Sequence, residues 1–186
     1  MSVILLGTIA AMIFSSAALA GQVESLIQSL ADPSPLTRSE SEMQLAHLGE
    51  RARPALIDAC RSDDPAISAA ATRVLLSLPW HKPDDPADVK TLLVNYGAQD
   101  EQGRMRIAAA LFEKGPVIGL PALLRLLMED PSEDVCWEID IFLRYRRDAK
   151  SLEAIRRLDP PDTRPAALLL SGWAWIPKDH PKALAQ

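Results

Sequence analysis

From position 23 onward the apolar residues fall on a helical beat. Val23, Leu26, Ile27 and Leu30 are spaced i, i+3, i+4, i+7, which is one stripe of a 3.6-residue helix. The stripe returns at Ile67, Ala70, Ala71, Val74, Leu75 and Leu78, at Met105, Ala108, Ala109, Leu111 and Phe112, and at Val135, Ile139, Phe142 and Leu143. Between the stripes stand Asp32-Pro33, Asp64-Pro65 and Asp130-Pro131. Pro33 and Pro65 are 32 positions apart, and Pro65 and Pro131 are 66 apart, so one beat near Ala98 is written differently. A period in the thirties marks stacked helix pairs. A single pair cannot bury its own apolar face, so neighbours must stack to make a core. The pattern predicts an all-α fold, a right-handed solenoid of stacked antiparallel helix pairs.

The punctuation places the elements. A helix starts near Leu36, carries Met43, Leu45 and Leu48, and stops at Gly49, since glycine readily ends a helix in a left-handed turn. Another opens at Arg53-Pro54-Ala55-Leu56, with proline in the first turn, where a missing N–H costs nothing. Pro79-Trp80-His81-Lys82-Pro83-Asp84-Asp85-Pro86 holds three prolines and reads as a loop, placed where solenoids often bind. Short helices are expected over Ala87–Tyr96 and Gln102–Lys114, and Gly115 to Leu124 echoes the earlier Gly49 to Ile57 phrase, both running from a helix-ending glycine to Pro-Ala-Leu. Beyond Tyr145, Leu152, Ile155 and Leu158 suggest a short helix, and Arg164 to Trp175 a further one. The expected division is 1–20 as a signal peptide or anchor, 21–158 as the solenoid, and 159–186 as a C-terminal helical extension, truncated if the array continues.

Two stretches resemble HEAT repeats, especially the short bacterial variety associated with phycobilin-lyase-type proteins. They are Pro35-Leu36-Thr37-Arg38 through Gln44-Leu45-Ala46-His47-Leu48-Gly49, and Pro54-Ala55-Leu56-Ile57 through Asp64-Pro65-Ala66-Ile67 to Val74-Leu75-Leu76. A weaker third covers Arg106 to Leu143. In that family an arginine follows the branched residue after Asp-Pro. Arg38 matches it, while Ser68 and Cys136 stand at the later places. The tail from Leu168 to Ala185 is faintly similar to the first helix pair of a tetratricopeptide repeat. The resemblance implies a fold and a binding or scaffold role, and carries no chemistry with it.

Charge changes the picture at the N-terminus. Residues 1–23 carry none, and the apolar run Val3 to Phe14 leads to Ala18-Leu19-Ala20, the form of a secretory signal cleaved after Ala20, although no Lys or Arg precedes the run. Export to the periplasm, envelope or exterior is therefore expected, with an uncleaved membrane anchor as the alternative and a buried N-terminal helix as a third reading. The net charge of −5 comes wholly from the remainder. It lacks the basic footprint of nucleic-acid binding and of a polybasic membrane patch. Cys60 and Cys136 sit in helical, mostly apolar surroundings and read as small core residues.

No catalytic, cofactor-binding or metal-binding set emerges. His47, His81 and His180 are scattered and none adjoins a glutamate, unlike the paired His-Glu motifs of HEAT-repeat hydroxylases. There is no Gly-x-Ser-x-Gly elbow and no glycine-rich phosphate loop. The pairs Glu138/Asp140 and Asp84/Asp85 read as solvated faces and turns. What remains is partner contact. Trp80, His81 and Lys82 in the proline-rich loop, Arg144 and Arg147 at a helix end, and Trp175 in the tail are the candidates, since buried aromatics and arginines anchor interfaces. Trp80 has a second reading, stapling its loop to the preceding helix end, and Trp137 neighbours a core stripe. The expected function is a non-enzymatic scaffold that takes a protein or peptide on its second-helix face. The alternative is a ligand-binding protein or enzyme using the Trp80 loop and a C-terminal cleft.

Overall fold

A computed structural model describes residues 18–145, the side chains of 144 and 145 excepted. Helices and turns account for the structured elements, and no strand occurs among the described residues. The chain divides after Leu78 into two compact units.

In the first unit, α1 (residues 18–28) tightens into a 3₁₀ turn at Ser29–Ala31 and is followed by α2 (Pro35–Leu48), α3 (Arg53–Ala59) and α4 (Pro65–Ser77). α1 runs unbroken through Ala20 and Gly21. Val23, Ile27 and Leu30 turn inward from the first segment, Leu45 from α2, Leu56 and Ala59 from α3, and Ile67, Ala70, Ala71, Val74 and Leu75 from α4. α4 packs against both α2 and α3, so the stripe read from the sequence is the core. Met43 is 61% exposed, because it lies about 160° from the buried Leu45 around the helix at 100° per residue.

The second unit holds the loop 79–86, α5 (Ala87–Leu93), a 3₁₀ turn at Tyr96–Ala98, α6 (Glu101–Glu113), the single turn α7 (Gly115–Ile118), α8 (Leu120–Glu129) and α9 (Glu133–Tyr145). α6, α8 and α9 pack on one another around Ala108, Leu111, Leu123, Leu126, Val135, Ile139 and Leu143. Phe112 stacks on Phe142 with ring centroids 5.3 Å apart. Trp137 is 59% exposed, so the expectation drawn from its neighbouring core stripe is corrected. Cys60 and Cys136 are half-buried and form no disulfide.

The irregular beat has a physical cause. Ser34, Asp64, Asp100 and Ser132 are the residues whose side chains accept N–H groups of the first turns of α2, α4, α6 and α9. In Asp32-Pro33-Ser34 and Asp130-Pro131-Ser132 the aspartate accepts the serine N–H at 2.8 Å and the serine caps the helix. In Asp64-Pro65 the aspartate is itself the cap. At the missing beat, Asp100 caps with Glu101 in place of proline.

Four residues after each cap, a side chain donates back toward the preceding segment. Arg38 Nη1 reaches the carbonyls of Asp32 and Pro33 at 2.7 and 3.1 Å, and Ser68 Oγ reaches Cys60 O at 2.7 Å. Arg104 Nη1 reaches Gln99 O at 3.1 Å, and Cys136 Sγ reaches the carbonyls of Leu127 and Asp130 at 3.4 Å. Three chemically different side chains thus occupy carbonyls that a helix end or turn leaves open.

Candidate partner-binding surface

The proline-rich loop is built as a clamp. Arg125 of α8 forks onto Asp85, with Nη2 donating at 2.7 Å and Nη1 at 3.2 Å, and Nη2 also donates to the Trp80 carbonyl at 3.3 Å. Asp85 accepts the Lys82 N–H at 2.7 Å as well, and Lys90 Nζ holds Pro83 O at 2.5 Å. Burial alone would raise the Asp85 carboxyl, but the Arg125 and Lys82 bonds and the nearby positive charge outweigh it and hold the carboxyl below its ordinary value of 3.8. The Trp80 indole is 2% exposed and lies 4.9 Å from the Tyr96 ring, tilted by 51°. The exposed-contact reading of Trp80 is therefore corrected, and the indole staples the loop inward. His81 and Lys82 are half-buried, and His81 Nδ1 and Arg125 Nε are buried without a hydrogen-bond partner.

Behind the loop lies a polar network that the sequence reading missed. Asp130 Oδ2 accepts from Tyr96 Oη at 2.6 Å and from Arg104 Nε at 3.0 Å, with the Arg104 and Asp130 side chains 5% and 0% exposed. Ser132 Oγ donates to Glu101 at 2.8 Å. Burial pushes the Asp130 carboxyl above 3.8 against the bonds from Tyr96, Ser132 and Arg104, and burial beside Asp130 pushes the Tyr96 hydroxyl well above its usual range. Asp130 reads in sequence only as punctuation. Its spacing of 26 from Arg104 and 34 from Tyr96 gives no local signal.

The other candidates lie at or beyond the end of the described residues. Arg144 lies on α9, its side chain outside the described part, and Arg147 and Trp175 lie outside the described residues. No group of three or more His, Cys, Asp or Glu that could hold a metal occurs among the described residues, and none of their helices is long and apolar enough to cross a membrane.

A different surface offers itself in the first unit. An open groove of about 310 Å³ between α1 and α2 is lined by Gln22, Glu40, Met43, Gln44, His47 and Leu48. Leu36, Glu40, Met43 and His47 follow one another at intervals of 4, 3 and 4, so they share one face. Leu36 is 68% and Met43 61% exposed. Gln22, Glu40, Gln44 and His47 are exposed as well. None of these four spends its polar group on a neighbour, in contrast to Arg38, Arg73, Asp85 and Asp130, which are all engaged. The sequence reading placed Met43, Leu45 and Leu48 on one helix and did not single out this face.

Residues 23–112 match the family model of HEAT repeats. That segment is similar to HEAT repeats. The matched segment includes the groove lining except Gln22, and the loop 79–86 without the Arg125 that clamps it. It ends within α6, ahead of Asp130. The tail likened to a tetratricopeptide unit lies outside the match and outside the described residues. No curated protein and no solved structure matches the sequence significantly. HEAT repeats generally mediate protein–protein contact or scaffolding.

Proposed function

We propose that this protein is a non-enzymatic binding module that recognises a protein or peptide partner on its HEAT repeats. The observation that carries the reading is the α1–α2 groove, where the exposed Met43 and the half-buried Leu48 are ringed by polar groups with no partner among the described residues, the anatomy of an interface with an apolar centre and a polar rim. The clusters that could have suggested chemistry, Arg104–Asp130–Tyr96 and Arg125–Asp85, spend their polar groups on holding elements together. Export is part of the proposal and is supported by the uncharged run Val3 to Phe14 and by Ala18-Leu19-Ala20. Sequencing the N-terminus of the mature protein tests it, with Gly21 as the first residue expected.

Capture with the full chain, wild type against Met43→Asp, tests the binding reading. The expected result is a protein that, once purified, binds the wild type and loses at least about tenfold in affinity for the variant, as removal of an anchor of about 1.4 kcal/mol would give. Equal affinity for both proteins would overturn the assignment of this face. Met43 is exposed, so the variant should keep its helical circular dichroism.

A further inference from the structure

We propose that the α1–α2 groove takes a basic amphipathic helix, one apolar side chain entering beside Met43 and a Lys or Arg a turn away meeting Glu40. The inference rests on the partner-binding reading above and adds the chemistry of the partner. Glu40 is the one acidic group in the lining, and no lysine or arginine lines the groove. Of the nearby arginines, Arg51 is exposed beyond the end of α2 and does not line the groove, and three others are already engaged. Arg38 serves backbone carbonyls, Arg53 is 4% exposed and paired with Glu50, and Arg73 is paired with Glu42 at 2.6 Å. A cation approaching Glu40 therefore meets no competing positive charge from the lining, whereas a second carboxylate would meet like charge.

The stripe also sets the shape of the occupant. Leu36 to His47 spans about 16 Å at 1.5 Å per residue, or three turns, with the apolar members at positions 36 and 43 and the polar members at 40 and 47. A helix laid along such a face presents anchors at i, i+3 or i+4, and i+7, which matches the 36-to-43 interval. The free Gln22 and Gln44 amides and the His47 ring can serve the polar flank of the same helix. A second copy of this chain is a poorer occupant. Two exposed apolar residues fall far short of the roughly 1,200 Å² that stable interfaces bury, and a parallel pairing would set Glu40 against Glu40.

The probe is a synthetic helical peptide of about 15 residues on an alanine and glutamine background, with leucine at i and i+7 and lysine at i+4 and i+11. A control peptide carries glutamate at the lysine positions. Binding to the full-length protein is read by fluorescence anisotropy. The lysine peptide should bind wild type about fivefold more tightly than the glutamate peptide, and the preference should reverse on Glu40→Lys, since an exposed ion pair gained and a like-charge contact avoided are together worth about 1 kcal/mol. The preference should also shrink as salt is raised, and Met43→Asp and Met43→Gln should weaken both peptides. Equal binding of the two peptides, with sensitivity to Met43 kept, would overturn the basic partner and leave the docking face standing. Binding indifferent to Met43 would overturn both. Absence of binding by either peptide would overturn the helix chemistry, and self-association in sedimentation that Met43→Asp abolishes would hand the groove to a second copy.

Discussion

Asp85 and Asp130 are both held by an arginine, and their carboxyls are driven in opposite directions. Each loses water, which favours the protonated form. Asp85 keeps enough bonds to overcome that cost, while Asp130, fully covered, does not. For Asp85 the folded value lies below the unfolded one, so its contribution is present above about pH 4 and is lost as pH falls through the folded value. Asp130 has the reverse sign, its contribution being lost as pH rises through its folded value. Asp85→Asn should therefore lower stability at neutral pH yet flatten the decline on acidification below about pH 4. Urea melts at several pH values check it, and an unchanged acid limb would mean that Asp85 does not titrate as described. Arg104→Met leaves Asp130 buried without its cation and should cost about 3–5 kcal/mol. Tyr96→Phe removes one hydrogen bond to a charged group and should cost about 1.5–3 kcal/mol, so chemical denaturation should rank the arginine change as the worse. Neither network was legible beforehand, because each aspartate lies 26 or more positions from its side-chain partners and shares no periodicity with them.

Caps and close approaches decide the elements. The Asp-Pro phrase marked each helix start in sequence, yet its aspartate caps only at Asp64 and supports a capping serine at Ser34 and Ser132. Asp100 stands in where proline is absent and so supplies the missing beat near Ala98. The position four residues after the cap tolerates Arg38, Ser68, Arg104 or Cys136 because the demand is for any donor within reach of an open carbonyl. Two glycines are required for different reasons. Gly49 ends α2 at φ +56°, in open space, so Gly49→Ala meets only backbone strain of about 1–3 kcal/mol. At Gly119 an added Cβ would lie 1.8 Å from the Leu111 carbonyl oxygen, and main chain must move to relieve it. Gly119→Ala should therefore lower Tm more than Gly49→Ala, and the reverse order in thermal melts would contradict the close approach of α7 to α6.

At the scale of the whole molecule, the two units each close a core from three or more helices, and each is vulnerable at its centre. Leu123 is 1% exposed in α8, and Leu123→Asp places a charge where no partner waits. Amide exchange should show protection lost from α6, α8 and α9, and retained protection there would mean that α8 faces elsewhere. The apolar stripes, the proline and glycine stops and the period near 33 were enough to determine an all-α HEAT-type array, because helical spacing and backbone breakers are local properties of the chain. Tertiary structure alone decided which marked residues face outward. The loop tryptophan went to the core because Arg125, 45 positions away, fixes its carbonyl and the loop aspartate. Met43, on the same helix as the buried Leu45, went to the surface because burial depends on which neighbour covers each side of a helix. Coverage is set by contacts between distant segments, and no local pattern encodes it.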